Sequence, residues 1–117
     1  MSLYPFFLKG DEYMKLNHLN LCVDDLSEAR HFFETFFDFQ FLEQKGKALL
    51  VMSDESGFIL VLSDPKAFKG NKEVMYPEAF HIGFLVDTSN EVDQAYNRLV
   101  AGGIEIDKEP YTMRGSS

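Results

Sequence analysis

Along residues 16–23 apolar and polar side chains alternate, with Leu19, Leu21 and Val23 on one side and His18, Asn20 and Cys22 on the other. That period of two predicts a half-buried strand. The period then lengthens. Asp25-Leu26-Ser27-Glu28 fits a capping box, and Leu26, Ala29, Phe33, Phe36 and Phe37 recur at three- and four-residue spacing. A helix is predicted over 26–37, its apolar stripe against the Leu19/Leu21/Val23 face. Strands are expected at 39–43, 47–52 and 58–62, separated by Gly46 and by an Asp54-Glu55-Ser56-Gly57 turn. Asp64-Pro65 closes this βαβββ unit.

The pattern then begins again. Residues 80–86 alternate Ile82, Phe84 and Val86 against His81, Gly83 and Leu85. Thr88 and Glu91 offer a second capping box, and Val92, Ala95, Leu99 and Val100 form the inward stripe of a helix over 89–101, stopped by Gly102-Gly103. A further strand is expected at 104–106, ended by Glu109-Pro110. The run His18-Leu19-Asn20-Leu21-Cys22-Val23-Asp24 with Glu28 returns, at one constant offset, as His81-Ile82-Gly83-Phe84-Leu85-Val86-Asp87 with Glu91. A repeated strand–helix opening led by histidine implies two similar half-domains, each contributing an imidazole to a shared site. Unit one covers 15–64, an exposed linker with Gly70, Asn71 and Pro77 covers 65–78, and unit two covers 79–117. By the same offset, unit two ends before its last strands. Residues 1–13 read as an N-terminal extension, partly cloning-derived, ahead of a single domain over 14–117.

Composition narrows the function. A chain of 117 residues, 45% hydrophobic and with twelve Phe, can build one aromatic-rich core. A net charge of −8 without a basic stripe argues against nucleic acid. The single cysteine, Cys22, excludes an internal disulfide and suits a reducing, cytoplasmic setting. No apolar run approaches the roughly 20 residues that span a bilayer, so no membrane partner is expected. No Ser/His/Asp order, phosphate loop or Cys-x-x-Cys pattern is present.

Two βαβββ units, each led by a histidine strand ending in Val-Asp and followed by a capped helix, resemble the vicinal oxygen chelate superfamily. It includes glyoxalase I, bleomycin-resistance proteins, fosfomycin-resistance enzymes and extradiol dioxygenases. The resemblance covers roughly residues 15–113 and implies an α+β fold, in which paired units form a half-open barrel around a cavity. It also implies a divalent metal (Zn, Ni, Mn, Fe or Co) in enzymatic members, held by the first strand of each unit and the last strand of one or both. His18 and His81 match the first-strand positions. Val61 stands where a Glu ligand is common, so that carboxylate cannot be carried over, and a third ligand would come from Glu55, Glu78, Glu109 or another chain.

Three readings follow. In one, the chain is a metal-dependent lyase, isomerase or dioxygenase acting on a small oxygen-chelating substrate. In the second it is a metal-free binding protein of the bleomycin-resistance kind, its acidic charge suited to a cationic drug. In the third it is a purely structural remnant with no ligand. Asn20 and Cys22 share the His18 face, and with Val61, Phe58 and Tyr111 they are the candidate substrate contacts. A homodimer is expected, with strands exchanged between chains as one form of it, because a short second unit leaves a sheet edge open. The N-terminal Leu3–Leu8 segment could cover that edge instead. His31, off the apolar stripe, is read as a solvated residue.

Overall fold

The computed structural model describes residues 14–68, 75–106 and 109–111. The chain divides between Val74 and Met75 into two compact units, each of which is described in itself. The N-terminal extension and Gly70 and Asn71 of the linker lie outside the described residues.

Unit one contains β1 (His18–Cys22), α1 (Leu26–Phe37), β2 (Gln40–Lys45), β3 (Leu49–Ser53) and β4 (Ile59–Ser63), then a single 3-10 turn, Pro65–Ala67. The strands form one mixed sheet in the order β1-β4-β3-β2, with β1 parallel to β4 and the other pairs antiparallel. The architecture is α+β with an open, unclosed sheet, as the alternating and helical periods imply. Helix α1 starts where Asp25 accepts a hydrogen bond from the Glu28 backbone N–H at 3.0 Å.

Register assigns every side chain to a face. Leu19, Leu60, Met52 and Phe41 line up across the sheet on one side, and Leu21, Leu62 and Leu50 follow in the next row. Leu50, Met52, Leu60 and Leu62 are almost fully buried there, and Leu26, Phe33 and Phe39 complete the core. The helix stripe differs by one residue from the expectation. Phe32 packs on the core in place of Phe36, meeting Phe33 edge-on at 5.3 Å. A bulge between Phe41 and Glu43 extends β2 to Lys45 while keeping Phe41 on the core side.

Helix α1 ends at Asp38, whose φ of 57° lies in the left-handed region. The Phe39 N–H bonds back to the Phe33 carbonyl, and their rings meet at 5.5 Å. A non-glycine residue pays a conformational penalty there, so Asp38→Gly is expected to stabilise the protein by about 0.5–1 kcal/mol, read as a higher urea midpoint.

The β3–β4 turn is built on Asp54. Burial pushes its carboxyl up, but hydrogen bonds outweigh that and hold it below the ordinary value: they come from the Ser56 hydroxyl and from the Phe58, Ser56 and Gly57 backbone. A depressed carboxyl contributes stability that is complete above its unfolded pKa of about 3.9 and is lost as pH falls through the lower folded value. Urea midpoints between pH 5 and pH 2 should therefore fall less steeply in Asp54→Asn than in the wild type.

Unit two contains α2 (Ser89–Ala101). Thr88 accepts from the Glu91 N–H, and its hydroxyl donates to Glu91 Oε1, both at 3.2 Å. The Glu91 carboxylate thus answers the capping hydroxyl rather than the Thr88 backbone. Gly103, at φ 85°, ends the helix: its N–H reaches the Val100 carbonyl and the Ile104 N–H reaches Leu99. The expected strands at 80–86 and 104–106 are corrected: neither segment is a strand. Alternation selects the faces a segment would use, whereas a strand also needs a hydrogen-bonding neighbour. The β1 residues find one in β4; residues 80–86 have none among the described residues. Phe80, Ile82, Phe84 and Leu85 are accordingly exposed, as are Val92 and Val100, expected to face inward on α2. Among the described residues no helix is long and apolar enough to cross a membrane.

Candidate functional site

The sheet face opposite the core carries the chemistry. Three rows cross it from β1 to β2: His18, Ile59, Ser53, Gln40; then Asn20, Val61, Val51, Glu43; then Cys22, Ser63, Leu49, Lys45. Aliphatic residues occupy most of the middle of this face, and polar residues line both edges. His18, Asn20, Cys22 and Val61 are thus brought together as neighbours on β1 and β4. Phe58 is not. It shares its parity with Leu60 and Leu62 and packs against the core. Tyr111 belongs to unit two and is 65% exposed.

His18 and His81 are both exposed, each in its own unit. His18 Nδ1 lies 3.3 Å from Asn17 Oδ1, and His81 Nδ1 lies 3.0 Å from the Ala79 carbonyl oxygen. Such oxygens only accept, so a neutral ring meets them through an Nδ1–H, the tautomer in which Nε2 is the acceptor nitrogen. This is the arrangement that orients metal-ligating imidazoles, and the donor chemistry of both rings suits a divalent ion.

Carboxylates are scarcer. Among the described residues no group of three or more His, Cys, Asp or Glu side chains is placed to hold a metal. Glu43 is on the His18 face, but the three strand spacings from β2 to β1 amount to about 14 Å, too far to share an ion. Glu55, in the β3–β4 turn, is at the same end of the sheet as His18, because His18 is registered with Ile59 at the start of β4.

Sequence reasoning missed Ser63, which is only 3% exposed and donates its hydroxyl to Asn20 Oδ1 at 2.6 Å. It follows an unbroken apolar run, and only the strand register shows that it stands beside Cys22. A groove of about 430 Å³ also opens between β1 and α1, with Leu21, Val23 and Phe32 in its wall and Asp24 and Glu28 at its margin. Leu21 and Val23 face away from His18, so this groove is separate from the histidine face.

The family model of the Glyoxalase/Bleomycin resistance protein/Dioxygenase superfamily matches residues 15–117. The chain belongs to this superfamily. It is 40% identical to a possible glyoxalase from Bacillus cereus, over 78% of its own length and 76% of the other's, with a TM-score of 0.68. The fosfomycin resistance protein FosX from Listeria monocytogenes is 22% identical, over 89% and 77%, with a TM-score of 0.67. Lactoylglutathione lyase from Agrobacterium tumefaciens is 23% identical, over 80% and 74%, at 0.61. At the latter two identities the likeness is one of fold. No curated protein matches the chain.

Proposed function

We propose that this superfamily member binds a divalent metal through Nε2 of His18 and of His81. It then acts on a small molecule that offers two adjacent oxygens, in lyase, isomerase or dioxygenase-type chemistry. The supporting observation is that both repeat-matched imidazoles have Nδ1 held by an oxygen acceptor. The same fold, in a mutant of FosX from Listeria monocytogenes, has been solved with Mn(II) and 1S,2S-dihydroxypropylphosphonic acid.

When bound, the metal supplies Lewis-acid polarisation of a ligand oxygen. The chain's own residues do the rest. Asn20 hydrogen-bonds the ligand, Val61 forms part of an apolar floor that sheds water, and Cys22 stands two residues beyond Asn20 on β1. Phe58 backs the sheet from the core side, and Tyr111 is the aromatic candidate from unit two. The edge position of β1 supports a homodimer in which that edge is covered, to be read by sedimentation. The single cysteine fits a reducing cytoplasm.

The alternative is a metal-free binding protein, favoured by Val61 at the carboxylate position and by the net charge of −8. Equilibrium dialysis of acetohydroxamate, a small chelator with adjacent oxygens, separates the two. Retention only in the presence of Mn(II) is the expected result. Equal retention with and without metal would favour the metal-free reading.

A further inference from the structure

The Ser63–Asn20 bond joins two strands, from a side chain closed to solvent to one that is exposed. A carboxamide has one acceptor oxygen and two N–H donors. The Ser63 hydroxyl bonds the oxygen at 2.6 Å, which turns the oxygen edge of the amide toward Ser63 and its Nδ2 donors the other way. Its row partner on β4 is Val61 and the next residue across is Val51, neither of which can hydrogen-bond through its side chain. A ligand that reaches the free edge of Asn20 therefore meets N–H donors, two residues along β1 from both His18 and Cys22.

We propose that Ser63 is a positioning residue that fixes the Asn20 carboxamide with its N–H groups toward the ligand, so that the site selects molecules presenting an acceptor oxygen, such as a carboxylate, hydroxamate or phosphonate, over those presenting a hydroxyl or amine donor. The selection rests on the function proposed above; the orientation of the amide does not. Without Ser63 the amide can turn over and offer its oxygen, which repels an acceptor ligand. A buried hydroxyl that merely tied β1 to β4 would affect stability and leave ligand choice alone.

The test uses the full chain and two readouts. In metal-free protein, the Asn20 Nδ2H2 group should give one sharp pair of resonances in the wild type and in Ser63→Thr, and a shifted, exchange-broadened pair in Ser63→Ala. In Mn(II)-loaded protein, Ser63→Ala should weaken acetohydroxamate binding by about 3- to 10-fold while Mn(II) affinity is unchanged, with Ser63→Thr restoring it. Asn20→Ala, at an exposed position, should lose a similar factor, and the double variant should lose no more. If Ser63→Ala does not fold, the Asn20 Nδ2H2 resonances of wild type loaded with diamagnetic Zn(II) must shift downfield on adding acetohydroxamate. Unchanged resonances in Ser63→Ala, additive losses in the double variant, or no shift with ligand would overturn the proposal. If the wild type binds no acetohydroxamate, the proposed function fails, and the metal-free resonances alone decide the role of Ser63.

Discussion

Leu62→Ala is expected to destabilise the protein by about 2–5 kcal/mol, among the largest single-residue effects in unit one. Leu62 is fully buried on β4, an interior strand, between Leu21 of β1 and Leu50 of β3. Truncation removes three carbons' worth of burial and leaves a hole that neighbours held by two ladders cannot collapse into. Against the 5–15 kcal/mol typical of a whole domain, that loss is severe. Urea denaturation should show the midpoint falling with little change in slope. Val61→Ala is the internal control. Val61 is half-buried on the opposite face, so it should cost less than half as much. A one-residue slip of β4 would exchange the two faces. A Val61 effect larger than that of Leu62 would therefore contradict the register.

His18→Ala and His81→Ala should each weaken Mn(II) binding by more than about 100-fold, beyond the 10–100-fold typical of losing an outer-shell partner. Under the proposed function, each removes one of the two nitrogen ligands, and carboxylates near them are scarce. Asn17→Ala removes only the contact to His18 Nδ1 at 3.3 Å, so its effect should lie within the outer-shell range. The converse is also expected. Val61 shares the His18 face, one strand over and two residues along, which places their Cα atoms about 8 Å apart. Two long side chains converge on an ion across that distance, so Val61→Glu should tighten Mn(II) binding at least ~10-fold. Isothermal titration measures all four variants. Unchanged affinity in both histidine variants would remove the basis for a metal site.

Much of unit one was legible because its signals are local and agree with each other. The Asp25 cap, the helical spacing of Leu26, Ala29 and Phe33, and the alternation around Leu19 and Leu21 each specify geometry within a few residues. The β2 bulge and the exchange of Phe32 for Phe36 were not legible, since both are settled by how α1 meets the sheet. Unit two shows the limit more clearly. The α2 ends are local, and Thr88 and Gly102-Gly103 stand where the sequence places them, but residues 80–86 carry strand-like alternation with no strand partner among the described residues. Alternation reports preference; pairing is a property of two segments. The site follows the same division. The repeat exposed His18 and His81, whereas Ser63, a serine after an apolar run, had no signal of its own. The strand register and its bond to Asn20 exposed it.

The measurement closest to the central claim is metal content by elemental mass spectrometry, on protein purified without a nickel column and then incubated with Mn(II), Zn(II), Ni(II), Co(II) or Fe(II) and desalted. Near one equivalent per chain of at least one of these, absent from a His18→Ala/His81→Ala double variant, is the expected result. Retention of none of them by correctly folded wild-type protein, or equal retention by the double variant, would contradict a metal held by the two repeated histidines.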